Sequence, residues 1–384
     1  MGTLSRRNSS IHRVREFPLR QVELEDEYDV IQTIGAGWFA KVYLSEHKKT
    51  RQEIVLKALQ KDTTSRKDFF RELHYSYFFS PHPNVIDTYD VAFETRTHYI
   101  FAQEYAPLGD LTSNIGENGL GEINSKRVLC QIASALDFVH SKDMAHRDLK
   151  MDNILVFRTD FTLVKLCDFG SMKKVGAQVA RKNELLTYCP PEVATLPFNV
   201  GYFVHTSHDI WQFGILIFVC LTGSLPWQKA DQSNDRRYSS FFDWQQRKTN
   251  KIPTPFKDFS SRLQRFFRKV FEPDDTRRTT IKEFHKYYED KWLTKHRASY
   301  SSLGVYDASA TLTPDGMSVN FSIMSVHSCL EEKNKLLRTL TQFGIETTVD
   351  HTAKKERIRE WIRANECRRK NFPGPMSSVQ KDLQ

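Results

Sequence analysis

The sequence predicts an α+β chain in two lobes: a small, β-rich amino-terminal lobe and a larger, mainly α-helical carboxy-terminal one. A tail that is partly disordered and partly helical follows them. Three observations lead there. Short β-branched runs around a glycine-rich turn, with one helix-period segment among them, fill residues 28–106. Long helix-period segments follow at 125–142 and from 208 onward, the second apolar on nearly every side. Between them lies the polar octet His146-Arg147-Asp148-Leu149-Lys150-Met151-Asp152-Asn153, and twenty residues after Asp148 comes Asp168-Phe169-Gly170.

Composition narrows the class. At 384 residues, 39% hydrophobic and 27% charged, the chain has the length for two or three domains and the balance of a soluble globular protein. Its net charge of +9 raises nucleic acid or an anionic membrane as partners. The charge is spread along the chain and weighted to both ends, however, and no aromatics interleave a basic stripe, so a solvated surface is the better reading. The six cysteines have neither Cys-x-x-Cys spacing nor histidines at zinc distances and read as reduced thiols of a cytoplasmic or nuclear protein. No secretory core follows the early arginines, and the apolar run 210–221, broken by Gln212, falls short of the roughly 20 residues of a membrane span. Met1-Gly2 lacks the Ser or Thr at position 6 that acylation wants, since Arg6 stands there. Arg6-Arg7-Asn8-Ser9 suits a phosphate acceptor beside arginines, but residues 1–27 read more simply as a disordered basic leader.

Order is expected from Tyr28. A strand over 30–34 runs into Ile34-Gly35-Ala36-Gly37-Trp38-Phe39-Ala40-Lys41-Val42, a turn whose bare backbone lets amides approach phosphate oxygens. A lone Gly-x-Gly is more often just a hairpin, and alanine stands at position 40 where a third glycine would complete the pattern. Twenty residues after Gly37 a β-branched strand ends in Lys57, in register to act as a cation on the α- and β-phosphates of a nucleotide. Residues 65–79 read as a helix stopped by His82-Pro83-Asn84. Glu72 lies on it where a partner for Lys57 belongs, although Arg71 and Glu72 also suit a solvated face. The strand 99–106 leads into Pro107-Leu108-Gly109-Asp110, a hinge on which Glu104 and Ala106 offer backbone groups to adenine. Gln103 would then guard the back of that pocket and needs a buried partner. Asp110 would lie near the ribose or a peptide substrate.

In the larger lobe the helix 125–142 is core by its period (Val128, Ile132, Ala135, Leu136, Val139). The octet and the later Asp168 are the equipment of phosphoryl transfer. In a phosphoryl-transfer reading Asp148 would accept or orient the substrate hydroxyl proton, Lys150 would neutralise the γ-phosphate, and Asn153 with Asp168 would hold Mg²⁺. Cys167 reads either as a small apolar spacer or as a pocket thiol open to electrophiles. From Met172 to Leu186 no Ser, Thr or Tyr occurs, so the segment before Pro190-Pro191-Glu192 offers little to phosphorylate, and Glu184 is a candidate built-in anion for Arg147. Asp209, opening the apolar helix, should cap the backbone of the octet, and Arg277 is favoured over Arg278 as the buried partner of Glu192.

These motifs, in this order and spacing, resemble the eukaryotic protein kinase superfamily over residues 28–295. The resemblance implies a bilobal protein kinase fold, with ATP and Mg²⁺ as cofactors and protein hydroxyls as substrates. Lysine two residues after Asp148 is the serine/threonine form. Thr187 stands two residues later than the threonine that many such kinases place in the loop, where Leu185 is found, which puts in question the usual bond from loop to Asp148 and Lys150. More narrowly, residues 101–110, 166–170, 209–223 and Leu225-Pro226-Trp227 resemble the SH3-binding-domain kinase (SBK) family. No two of the 14 prolines are spaced Pro-x-x-Pro, so SH3 binding is not supported. The competing class is a nucleotide-binding scaffold, a pseudokinase signalling by conformation, suggested by Ala40 and the displaced Thr187.

Beyond the kinase region, residues 296–327 read as a disordered linker and 328–384 as a helical and disordered tail. Ser328 and Glu331 form a capping box, and 352–365 is a basic amphipathic helix suited to docking on its own domain, to a partner or, least well, to a membrane. Acidic Asp110 and Asp152 suggest substrates with basic residues upstream of the target hydroxyl.

Overall fold

Alternation along one strand explains how the small lobe is assembled. In β4 (Gln52–Gln60), Ile54, Leu56 and Ala58 point to one face of the sheet and Lys57 and Leu59 to the other. The first set packs on Tyr28, Phe93, Ile100 and Ala102. The second faces helix α1 (Arg66–Phe79), where Phe69, Phe70 and Leu73 close over Leu59 and Phe101. The computed structural model describes residues 11–37, 40–181 and 187–294. By its contacts the chain divides into units 1–320 and 321–384. The linker, the tail helices, Trp38, Phe39 and Glu184 lie outside the described residues.

The sheet has six strands in the order β1 (Arg20–Gln21), β5 (Thr88–Glu94), β6 (His98–Gln103), β4, β3 (Ala40–His47) and β2 (Tyr28–Ala36). All neighbours are antiparallel except β1 with β5. Register sets Val42 of β3 opposite Lys57 of β4, so the strand leaving the glycine-rich turn shares a face with the lysine. Ser65 caps α1 by accepting the Asp68 N–H at 3.1 Å.

The leader needs a correction. From Ile11 onward it is built into the small lobe: Ile11 and Val22 are buried, Val14 and Leu19 pack beside Phe69 and Phe70, and β1 pairs with β5. The His74 ring meets the Ile11 carbonyl at 2.8 Å. Four apolar residues scattered among arginines have no common period, so each fills a separate gap rather than announcing an element.

The larger lobe is built on α2 (Gly121–His140) and α3 (Ser207–Thr222), which is buried along its whole length. Ser125 of α2 donates to the Cys220 carbonyl of α3 at 2.9 Å. Gly223 ends α3 at φ 72°, where a β-carbon would lie 2.2 Å from the Glu117 carbonyl oxygen, so only glycine fits. Helices α4 (Arg236–Gln245) and α5 (Ser261–Val270) close the lobe over a buried aromatic cluster that includes Trp211, Trp227, Phe241, Phe256 and Phe271. Two short hairpin strands, β7 (Ile154–Val156) and β8 (Val164–Leu166), carry the chain from the octet to Asp168. Among the described residues no helix is long and apolar enough to cross a membrane.

Candidate active site

Glu72 falls on the buried stripe of α1 with Phe69, Ser76 and Phe79, one or two turns apart, and is only 6% exposed. That stripe faces the side of β4 that carries Lys57. The solvated-face alternative is therefore excluded: the two charges meet at 2.6 Å, and Lys57 Nζ also donates to Asp168 Oδ1 at 3.1 Å. Burial pulls the Lys57 ammonium down, but Asp168 and Glu72 outweigh it and hold it above the usual lysine range. Burial pushes the Asp168 carboxyl up, and the Lys57 ammonium more than reverses this, leaving it at about 2. Glu72 is raised by burial against the pull of Lys57, with the Asp168 charge adding to the rise. A β-carbon on Gly170 would lie 2.8 Å from Glu72 Oε2, so this glycine is what lets the carboxylate reach the lysine.

Asp168 itself has φ 63°, a left-handed conformation that aspartate tolerates better than most residues. Phe169 anchors the next position, fully buried against Phe79 (ring centroids 5.8 Å apart, stacked) and against the His146 ring at 5.2 Å.

The octet forms the opposite side of the site. Lys150 Nζ donates to Asp148 Oδ2 at 3.0 Å, and Asn153 Nδ2 donates to the same oxygen at 2.9 Å and to the Asp148 carbonyl at 2.7 Å. Burial lowers Lys150, but the Asp148 charge beside it raises it further, so the ammonium stays above its ordinary range. With Asn153 Nδ2 committed to Asp148, its Oδ1 is the atom left to a cation, and Asp168 Oδ2 is likewise without a hydrogen bond among the described residues. Two hard oxygens of this kind fit Mg²⁺. As expected, Asp209 caps the octet: Oδ2 accepts the His146 N–H at 2.8 Å and Oδ1 the Arg147 N–H at 2.7 Å.

The side chain that sequence reasoning missed is Gln212. It accepts the Leu149 N–H at 3.0 Å and donates to the Arg147 carbonyl at 3.2 Å, bracing the backbone on both sides of Asp148. A polar residue three positions after Asp209, on the same face of an otherwise apolar helix, was the available signal. His140 supports the same brace, its Nε2 lying 2.8 Å from Asp209 Oδ2.

At the hinge, Gln103 finds the buried partner it needs, donating to Thr88 Oγ1 at 3.0 Å. The Glu104 N–H donates to the Asp87 carbonyl at 3.0 Å, and its carboxylate turns away to pair with buried Lys165. Among the described residues the Glu104 carbonyl and the Ala106 N–H make no hydrogen bond, which leaves them for a heterocycle edge. Asp110 gives Oδ1 to the Ser113 N–H at 2.7 Å. On the opposite strands, Ile34 is 41% exposed, Gly35 faces Val42, and the Gly37 N–H closes the turn on the Ala40 carbonyl at 2.9 Å; Ala36 pairs in register with Lys41. Burial and the neighbouring Asp168 charge push the Cys167 thiol up, which favours the spacer reading over a reactive thiolate.

The Glu192 assignment is corrected. Arg278, not Arg277, grips Glu192 with two bonds, at 2.8 and 2.9 Å, and also donates to the carbonyls of Glu272 and Ser207. Asp274 accepts the backbone N–H of Arg277 and of Arg278, and this turn directs residue 278 inward and leaves 277 exposed. Arg147 donates to the Ser171 carbonyl at 2.9 Å and to Tyr202 Oη at 2.8 Å. Among the described residues no hydrogen bond joins Thr187 to Asp148 or Lys150.

Comparison with known proteins follows this geometry. A protein kinase domain model matches residues 28–293. The chain is 40% identical over 353 residues to the serine/threonine-protein kinase meng-po of Drosophila melanogaster, covering 92% of this chain and 77% of that protein. It is 40% identical over 276 residues to the serine/threonine-protein kinase SBK1 of Danio rerio (72% of this chain, 71% of that one) and 36% identical to SBK1 of Mus musculus (72% and 66%).

Proposed function

The chain belongs to the protein kinase family, as a serine/threonine kinase similar to SBK1, and we propose that it is catalytically active rather than a nucleotide-binding scaffold. The reaction is transfer of the ATP γ-phosphoryl group to a Ser or Thr hydroxyl of a protein. The observation that carries this reading is the assembled set Glu72–Lys57–Asp168, a buried cation fixed between two carboxylates.

Each residue has a physical task. The turn 34–42 covers the phosphates with backbone amides, Lys57 holds the α- and β-phosphates, and the hinge groups of Glu104 and Ala106 orient adenine. Asp148, held by Lys150 and Asn153, orients the incoming hydroxyl, and Lys150 offsets charge on the transferred group. Asn153 and Asp168 would hold Mg²⁺, which when bound would neutralise phosphate charge. Asp110 and Asp152 favour basic residues upstream of the target. The scarcity of hydroxyls between Met172 and Leu186 supports an enzyme that is not switched on by loop phosphorylation, and stoichiometric loop phosphate found by mass spectrometry in active protein would refute that. A cytoplasmic or nuclear location belongs to the same reading.

A phosphate-transfer assay on wild type and Asp148→Asn tests it. Loss of about 10²–10³-fold in rate, with an unchanged circular dichroism spectrum, is expected. Equal rates, or no transfer by the wild type above background on a broad set of protein substrates, would leave the scaffold reading standing.

A further inference from the structure

The larger lobe carries a second concave site, lined by none of the residues assigned to the active site. It is an open concavity of about 970 Å³ lined by residues of α4, α5, the 246–252 connection and the segment 272–279. Five cations line it (Arg247, Arg265, Arg268, Lys269 and Arg277) against a single carboxylate, Glu272. Glu272 is turned to the Gln245 amide (3.4 Å) and the Asp274 N–H (3.4 Å), so no arginine of the cavity is paired with it among the described residues. Among the described residues Lys269 alone of these five cations pairs with a carboxylate, Glu283 at 2.5 Å.

The Arg268 guanidinium stacks 3.9 Å over the Trp244 ring, Nη2 donates to the Trp244 carbonyl at 3.1 Å, and the buried Nε has no hydrogen-bond partner among the described residues. Burial first, and then the nearby Arg247 charge, holds Arg268 below the usual arginine range, a crowding that an anion relieves. Arg247 occupies the left-handed position (φ 57°) that ends α4, with the Lys248 N–H bonded back to the Asp243 carbonyl at 2.9 Å. Glycine is the residue favoured there. Arg277 is available because its neighbour Arg278 turned inward to Glu192.

We propose that this cavity docks an acidic segment of a protein partner, an extended peptide rich in Asp and Glu. Its shape decides against the other polyanions. A membrane surface needs protruding apolar side chains, and none of the exposed large hydrophobic residues lines the cavity. Single-stranded nucleic acid needs open aromatic faces, whereas Trp244 is buried and covered by Arg268. The proposal does not rest on phosphoryl transfer, so a failed kinase assay would leave it intact.

The test is fluorescence anisotropy of the full chain with a fluorescein-labelled octaglutamate peptide. Saturable binding that weakens with salt is expected, reduced about tenfold or more in Arg265→Glu/Arg277→Glu. A double variant with the same charge change on the small lobe, Lys49→Glu/Lys67→Glu, should bind as wild type does. Should the reversed pair fail to fold, Arg265→Gln/Arg277→Gln carries the same expectation. No binding, equal loss in both double variants, or tighter Arg265- and Arg277-dependent binding of phosphoinositide vesicles or of a single-stranded RNA would overturn it.

Discussion

Along residues 146–153, on the lower side of the cleft, buried side chains hold the backbone on both sides of Asp148: Asp209 takes two N–H groups, Gln212 takes one and gives one, and Asn153 clamps the Asp148 carbonyl. Across the cleft, residues 30–37 and 40–42 have only ladder bonds to neighbouring strands and the single Gly37–Ala40 closure. No side-chain hydrogen bond reaches them among the described residues, and Val30, Ile31 and Ile34 are exposed. The difference teaches where fixed geometry is needed. In the proposed reaction Asp148 must meet a hydroxyl within tenths of an ångström, and it is braced from beneath. A cover that must admit and release a nucleotide is held by backbone alone.

Removing the brace should do the most damage. Asp209→Ala strands the N–H groups of His146 and Arg147 and should cost about 3 kcal/mol, which for a domain of this size is a fall of roughly 5 °C in Tm by differential scanning fluorimetry. The same carboxyl gives the contrast a pH signature. Burial opposes its ionisation, but its bonds to His140 and to the backbone reverse this and hold it below the ordinary aspartate range. Its stabilisation is therefore complete above the unfolded value near 3.8 and is lost as pH falls through the folded one. Asp209→Ala should show a flatter loss of stability with acid than wild type, and an unchanged slope would break the comparison.

Gly170→Ala joins the two sides. The displaced atom is the tip of Glu72, so the fold should survive while transfer falls about 10²-fold as the Lys57 contact is lost. Gln212→Leu, close in volume, should lower kcat about tenfold with KM for ATP unchanged, because it loosens the floor and leaves the roof intact. Ala40→Gly should matter least, with a stability change of about 0.5–1 kcal/mol and a small change in KM for ATP. A large loss of kcat in that variant would mean that the roof is as exacting as the floor.

What could be read from the sequence was chemistry confined to short spacings. The octet, Asp168 and Lys57 announce themselves because phosphate and metal handling need particular side chains at fixed intervals along one segment. Glu72 was legible through helical period, and Asp209 through its position at the start of an apolar helix. Arg278 was harder to read, because which of two neighbours turns inward depends on a turn closed by Asp274, not on the residues themselves, whereas Gln212 was signalled only by its polarity on an apolar helix. Ile11 and Val22 were missed for a related reason: a lone apolar residue becomes core only when a distant surface offers it a gap.

The His146 ring touches both halves of the catalytic equipment: Nε2 lies 3.1 Å from the Cys167 carbonyl, and the Asp148 N–H points to Nδ1 at 3.3 Å. One imidazole thus yokes the strand carrying Asp168 to the loop carrying Asp148. On any opening of the cleft these two carboxylates are then expected to move as a single body, with the contact to Lys57 the one to lengthen. Thermal motion should then unsettle the grip on the nucleotide well before it disturbs the spacing between the two aspartates.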